Sequence, residues 1–293
     1  MFGPTRTSLA TSTTAALATL TTLVAGCSGS NEATGAPVDD DTNRATGAAK
    51  PTETAAARKR PPPPPEKGEC RNLVFFDIGL FSNEGKKVSC RDRHTAYTFA
   101  VETLPDKIAF EGVDIENKAV QSGAAASCST AFAKFIGGDA STRALARLTV
   151  TYFLPKQQDF DLGAHWVRCD AVALRTAQTL ASLPLKLEGV LDDDSALEEL
   201  GVCSTDEPGV GGSALVMCTE THTFRALAAV RLGDSDAPYP GADSAEKMGQ
   251  QCEALVGDAV GVEGDFTYGW TYPSAADWAD GQRFGYCWNQ TAD

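Results

Sequence analysis

The apolar positions of this chain form two ordered series of short runs, and each series predicts the same succession of elements. In the first, Leu73-Val74-Phe75-Phe76 is a continuous apolar run of strand length. The polar turn Ser82-Asn83-Glu84-Gly85 leads from it into a second strand ending at Cys90. Tyr97, Phe99 and Val101 recur every second residue, the period of a strand. Within residues 114–136 the spacing becomes helical, with Cys128, Phe132 and Phe135 at i, i+4 and i+7. Residues 147–153 and 165–174 read as two further strands, and 185–191 as one that completes the sheet. The second series has the same order. Its first turn is Pro208-Gly209-Val210-Gly211-Gly212, and its helix is predicted to start at Asp243, with Glu246 three residues on as a capping box.

Identities within the pattern show that the second series is a copy of the first. Val88-Ser89-Cys90-Arg91-Asp92-Arg93-His94-Thr95 and Val216-Met217-Cys218-Thr219-Glu220-Thr221-His222-Thr223 share the spacing Cys-x-x-x-His-Thr. Cys128 and Cys252 each precede a glycine by nine residues, and residues 152–169 align without a gap on 270–287. One further cysteine, Cys70 or Cys203, opens each copy. The prediction is an α+β chain of two tandem disulfide-stapled repeats, 67–191 and 192–293, each a mostly antiparallel sheet covered by one helix. Each is expected to fold alone when oxidised.

The residues before the repeats are an address and a tether. Arg6 is the only charge before residue 32, and residues 9–25 are an apolar Ala/Thr/Leu stretch too short and weak to span a membrane permanently. It ends Leu23-Val24-Ala25-Gly26-Cys27, which resembles a bacterial lipobox. The prediction is a signal peptide over 1–26, cleavage behind Gly26 and lipidation of Cys27. Residues 27–66 are rich in Ala, Thr and Gly and end in five prolines, a flexible tether that stiffens into polyproline II. The protein is thereby placed outside the cytoplasm, anchored to the outer face of the cell membrane.

Cysteine arithmetic agrees. There are nine cysteines, and setting Cys27 aside for lipid leaves four per repeat, an even set that reads as disulfides in an exported chain. Zinc is the rival for a Cys/His set, but no Cys-x-x-Cys occurs. Four cysteines allow three connectivities. Cys70 and Cys90 bracket a predicted hairpin, as do Cys203 and Cys218, and the ends of an antiparallel hairpin lie opposite one another. That leaves Cys128 with Cys169 and Cys252 with Cys287, helix to last strand.

The net charge is −14. All of the excess lies in residues 192–293, with nineteen acidic against four basic residues. Such a field repels nucleic acid. It serves either solubility or an acidic docking face for a basic partner.

Candidate chemistry is sparse. His94 and His222 sit four residues after a cysteine and read as turn-fixing residues, each bonded to a backbone carbonyl. The alternative makes them ligands of a metal or the base of an exported enzyme. No Gly-x-Ser-x-Gly, no His-Glu-x-x-His and no cysteine left unpaired by the disulfide and lipid assignments accompanies them. No catalytic residue, metal or cofactor is assigned. Trp278, Tyr286 and Trp288 form a candidate binding face, because Tyr286 and Trp288 are two apart on a predicted strand. Asp192-Asp193-Asp194 with Glu198 and Glu199 lacks the spacing of a calcium loop and reads as a solvated connection.

The succession Gly-acid-Cys, Val-x-Cys-x-x-x-His, a helix with Cys, Trp-x-x-Gly and a last Cys resembles the septum-formation family of actinobacterial exported or membrane-attached domains. It is carried by Gly68-Glu69-Cys70, Val88 to His94, Cys128 and Cys252, Tyr239-Pro240-Gly241, Trp278 to Gly281, and Cys287. Repeat one departs with Phe160 for the tryptophan and His165 opposite Arg283. Repeat two has Gly201-Val202-Cys203 in place of Gly-acid-Cys. The resemblance implies a link to division or the cell envelope and no known reaction. The expected function is a non-enzymatic envelope protein that binds a protein or cell-wall component.

Overall fold

A computed structural model describes residues 8–10 and 60–291, except 107, 109, 111, 210–212 and 262–265. Cys27, its cleavage site and the tether up to residue 59 lie outside the described residues. After a three-residue β1 (Ser8–Ala10), repeat one supplies β2 (Cys70–Arg71), β3 (Lys87–Val88), β4 (Ala96–Thr103), β5 (Leu148–Phe153) and β6 (Trp166–Ala173). They form an antiparallel sheet in the order β3-β2-β4-β6-β5. Repeat two supplies β7 (Val202–Ser204), β8 (Leu215–Met217), β9 (Phe224–Arg231), β10 (Tyr268–Thr271) and β11 (Phe284–Gln290) in the equivalent order β8-β7-β9-β11-β10, with β1 alongside β10 in parallel. The likeness extends to a shared irregularity. Phe99 in β4 and Leu227 in β9, equivalent positions, are each the extra residue of a bulge against the last strand.

One long helix covers each sheet: α1 (Lys118–Ile136) in repeat one and, after the short α2 (Ala140–Ala144), α3 (Gln157–Asp161) and α4 (Leu197–Leu200), α5 (Ala242–Val260) in repeat two. Val120, Ala124, Cys128, Phe132 and Phe135 lie on the buried stripe of α1 and pack on Phe99, Val167, Cys169 and Ala171. Met248, Cys252 and Val256 do the same for α5 over Tyr268 and Cys287. The cysteines pair as Cys70–Cys90, Cys128–Cys169, Cys203–Cys218 and Cys252–Cys287, with Cα atoms 5.2, 5.3, 5.0 and 5.1 Å apart. Two pairs close a hairpin and two bolt a helix to the centre of its sheet. The close approach of α5 needs glycine twice. A Cβ on Gly249 would stand 2.6 Å from the Trp270 ring, and one on Gly285 would stand 2.3 Å from Met248 Sδ.

Three local expectations are corrected. The run Leu73-Val74-Phe75-Phe76 is not a strand: Phe75–Gly79 is a 3-10 turn, and Phe76 is 77 % exposed. Asp77 captures the Val74 N–H at 2.8 Å and turns the chain. The segment instead covers the edge of β5, where Thr151 Oγ1 donates to the Ile78 carbonyl and Leu154 N to that of Phe81. Residues 185–191 do not extend the first sheet. Leu187 and Leu191 are buried, but Leu185 is 81 % exposed and Val190–Asp192 is a 3-10 turn. The helix of repeat two starts at Ala242 with Gly241 as its cap at φ 79°, and no side chain caps it, so the box of Asp243 and Glu246 does not form.

The repeats interlock. Arg147 N bonds the Leu200 carbonyl at 2.7 Å, Val202 N bonds that of Leu145 at 2.9 Å, and Met217 N bonds that of Arg175 at 2.9 Å. Leu200 and Met217 belong to the core of repeat one, and Leu145 to that of repeat two. Fragments 67–191 and 192–293, which keep their own disulfides, are expected to fold when oxidised but to unfold at clearly lower urea than the joined repeats. Equal midpoints would show that these contacts carry no stability.

Candidate functional site

In each repeat the last strand turns its cysteine to the helix and alternate residues to the other face. On β6 these are Trp166, Arg168 and Asp170, and on β11 they are Phe284, Tyr286 and Trp288. The backbone is the same and the chemistry opposite. Both faces carry a cleft at the end of the preceding strand, bordered by equivalent elements: Pro155 and Asp159 in one, Pro273 and Asp277 in the other, with the loop of the first hairpin closing the far side.

Repeat one fills this face with a buried ion network. Asp170 is fully buried and Arg168 is 2 % exposed. Arg168 Nε donates to Asp170 Oδ2 at 3.0 Å, and Thr98 Oγ1 to Asp170 Oδ1 at 2.7 Å. Arg71 Nη1 donates to Thr98 Oγ1 at 2.9 Å, while Glu69 accepts from both Arg71 and Lys87. The Arg168 guanidinium lies 4.4 Å from the Phe153 ring centroid. Burial pushes the Asp170 carboxyl up and the Arg168 guanidinium down, and each opposes the other's shift. Burial also acts to raise Glu69, but hydrogen bonds from Lys87 and Arg71 outweigh it and hold that carboxyl below its ordinary value.

Repeat two carries aromatic rings at the same positions. Trp288 is 1 % exposed and donates from Nε1 to Thr271 Oγ1 at 3.0 Å. Tyr286 lies 5.9 Å from it, and burial raises its phenol. Part of this apolar face is covered by Leu145, Ala144 and Leu197. The rest lines a cleft of about 360 Å³ formed by Pro208, Leu215, Tyr272, Pro273, Phe284 and Tyr286, with Trp288 at its floor and Asp277 and Asp280 on its rim.

The structure therefore brings Tyr286 and Trp288 together and leaves Trp278 out. Trp278 sits on the short α6 (Ala275–Ala279), 5 % exposed, bonded from Nε1 to the Ala237 carbonyl at 2.9 Å, with the Arg283 guanidinium 4.3 Å above its ring. Phe160 and His165 make the equivalent pair in repeat one, tilted with centroids 4.8 Å apart.

Each histidine bonds its turn through Nδ1. His94 Nδ1 lies 2.9 Å from the Asp92 carbonyl and His222 Nδ1 2.7 Å from that of Glu220. A carbonyl only accepts, so each Nδ1 carries the proton. Cys90 and Cys218 are in disulfides. Among the described residues no three His, Cys, Asp or Glu side chains cluster as metal ligands. The acidic connection also has local work. Asp192 accepts from Gly138 N at 2.9 Å, Asp193 from Ser195 N at 2.9 Å, and Glu198 pairs with Arg225 at 2.7 Å.

Sequence reading missed the network of Arg71, Thr98, Arg168 and Asp170, and the cleft residues Pro208, Tyr272 and Phe284. A signal was present. Arg168 and Asp170 interrupt an otherwise apolar strand, the mark of a buried pair, and their counterparts are both aromatic.

Compared with protein families, residues 67–287 match one described as "Septum formation", as a single span across both repeats. No curated protein and no solved structure matches the chain.

Proposed function

Because the chain belongs to the septum-formation family, we propose that it is a non-enzymatic protein of the cell envelope, lipid-anchored at Cys27, whose repeats bind a protein or cell-wall component during septum formation. The family description ties the chain to division at the envelope. Its four disulfides suggest an extracytoplasmic location, and among the described residues no helix is long and apolar enough to cross a membrane. The observation that carries the binding reading is the aromatic cleft of repeat two, at positions where the equivalent cleft of repeat one is lined by paired charges. Concave sites with aromatic walls and few polar groups are the usual form of a binding site. The non-enzymatic reading draws on the histidines, whose Nδ1 protons are engaged by the chain's own carbonyls.

Crosslinking in intact cells tests the binding reading. Wild type is expected to recover a defined partner that Tyr286→Ala loses, and recovery indifferent to that change would count against the cleft. The anchor has its own test. Cys27→Ser is expected to shift the protein from the membrane fraction to the medium, and a variant that stays bound after washing would end the lipid assignment.

A further inference from the structure

Resting on that binding reading, we propose that the repeat-two cleft takes an extended proline-rich segment flanked by basic residues. The first ground is the other repeat. Prolines 62–65 of this chain run along the equivalent cleft of repeat one, beside Ser82, Pro155 and Trp166. A run of prolines is held in polyproline II without internal hydrogen bonds, so it presents rings and carbonyls to whatever it lies against. In repeat two the residues leading into the first strand are wound instead into α4, held by Arg225 to Glu198 and to the Leu197 carbonyl. None of the residues lining the cleft there precedes β7.

The second ground is the lining. Pro208, Tyr272, Pro273, Phe284 and Tyr286 line the cleft with rings, and Leu215 adds an aliphatic wall. Aromatic-lined grooves accept polyproline II segments because little conformational entropy remains to be lost. Tyr286 Oη accepts a long 3.5 Å contact from Gln282 Nε2, which leaves its own proton to donate to a peptide carbonyl. The third ground is charge. Asp277 and Asp280 are exposed on the rim, within a half of the chain that carries nineteen acidic and four basic residues. Arg147, whose charge acts on Tyr286, is tied to the carbonyls of Leu174 and Thr176. A basic flank on the ligand is thereby attracted and an acidic one repelled.

The test uses the full chain with Cys27→Ser, secreted and oxidised, and a fluorescent peptide of residues 57–66, in which Arg58, Lys59 and Arg60 precede five prolines. Saturable binding is expected. Tyr286→Ala should weaken it at least tenfold, whereas Tyr286→Phe, which keeps the ring, should lose less. Asp280→Lys, a surface change that does not depend on core packing, should weaken it several-fold at low salt. Replacing the five prolines with glycine should weaken it at least tenfold. Equal binding of the glycine peptide would reduce the effect to charge alone and overturn the proposal. So would binding unchanged by Tyr286→Ala and Asp280→Lys, or saturable binding of a soluble glycan fragment in the cleft with none of the peptide. If crosslinking still recovers a partner lost in Tyr286→Ala while no proline peptide binds, the proline chemistry falls and the binding reading stands. If neither is seen, both fall.

Discussion

Replacing Asp170 with alanine is expected to destabilise the protein by about 3–5 kcal/mol, the cost of stranding a buried cation. Asp170 takes hydrogen bonds from Arg168 and Thr98, and Thr98 in turn takes one from Arg71. Removing the carboxylate leaves the Arg168 guanidinium almost fully buried with the Asn83 carbonyl as its remaining close acceptor, at 2.8 Å. Arg71 keeps Glu69 and suffers less. Replacing both members with apolar residues, Arg168→Met with Asp170→Leu, is expected to cost less than the single change, because the buried charge goes with its partner. Repeat two is consistent with this, since it fills the same two positions with Tyr286 and Trp288. Urea unfolding of the single and double variants decides the matter. A single variant losing under about 1 kcal/mol, as an exposed pair would, or a double variant worse than the single, would refute the network's role.

Removing the bolt between α5 and its sheet, by Cys252→Ala with Cys287→Ala, is expected to lower stability by about 4 kcal/mol, the loop-closure entropy for a separation of 35 residues. The packing beneath the helix is thin for its length. Met248, Cys252 and Val256 are its buried residues in that cluster, helped by Trp270 lying against Gly249. Cys203–Cys218 spans only 15 residues, and losing it should cost about 3 kcal/mol. Thermal unfolding of each paired variant gives the comparison. A Cys252/Cys287 variant that melts with wild type would mean that α5 is held by packing alone.

The sequence by itself carried the α+β class, most of the strand and helix succession, and the family. These rest on local periodicity and on cysteine spacing, which covalent geometry constrains tightly. It also carried the paired histidines, because equal spacing after a cysteine places both at equal turns. Other features were decided only in three dimensions. Whether Leu73-Val74-Phe75-Phe76 pairs as a strand depends on Asp77 capturing one N–H and on the β5 edge waiting to be covered, and neither appears in a four-residue run. The difference between the two last strands shows the limit most clearly. Trp288 and Asp170 occupy one position of one scaffold, and both are buried. Asp170 is buried because Arg168, Thr98 and Arg71 converge on it from three strands, and Trp288 because Leu145 of the other repeat packs against its face. Thr98, Arg71 and Leu145 are distant in the chain from the residues they cover, so only tertiary structure determines that one repeat lines its cleft with paired charges and the other with aromatic rings.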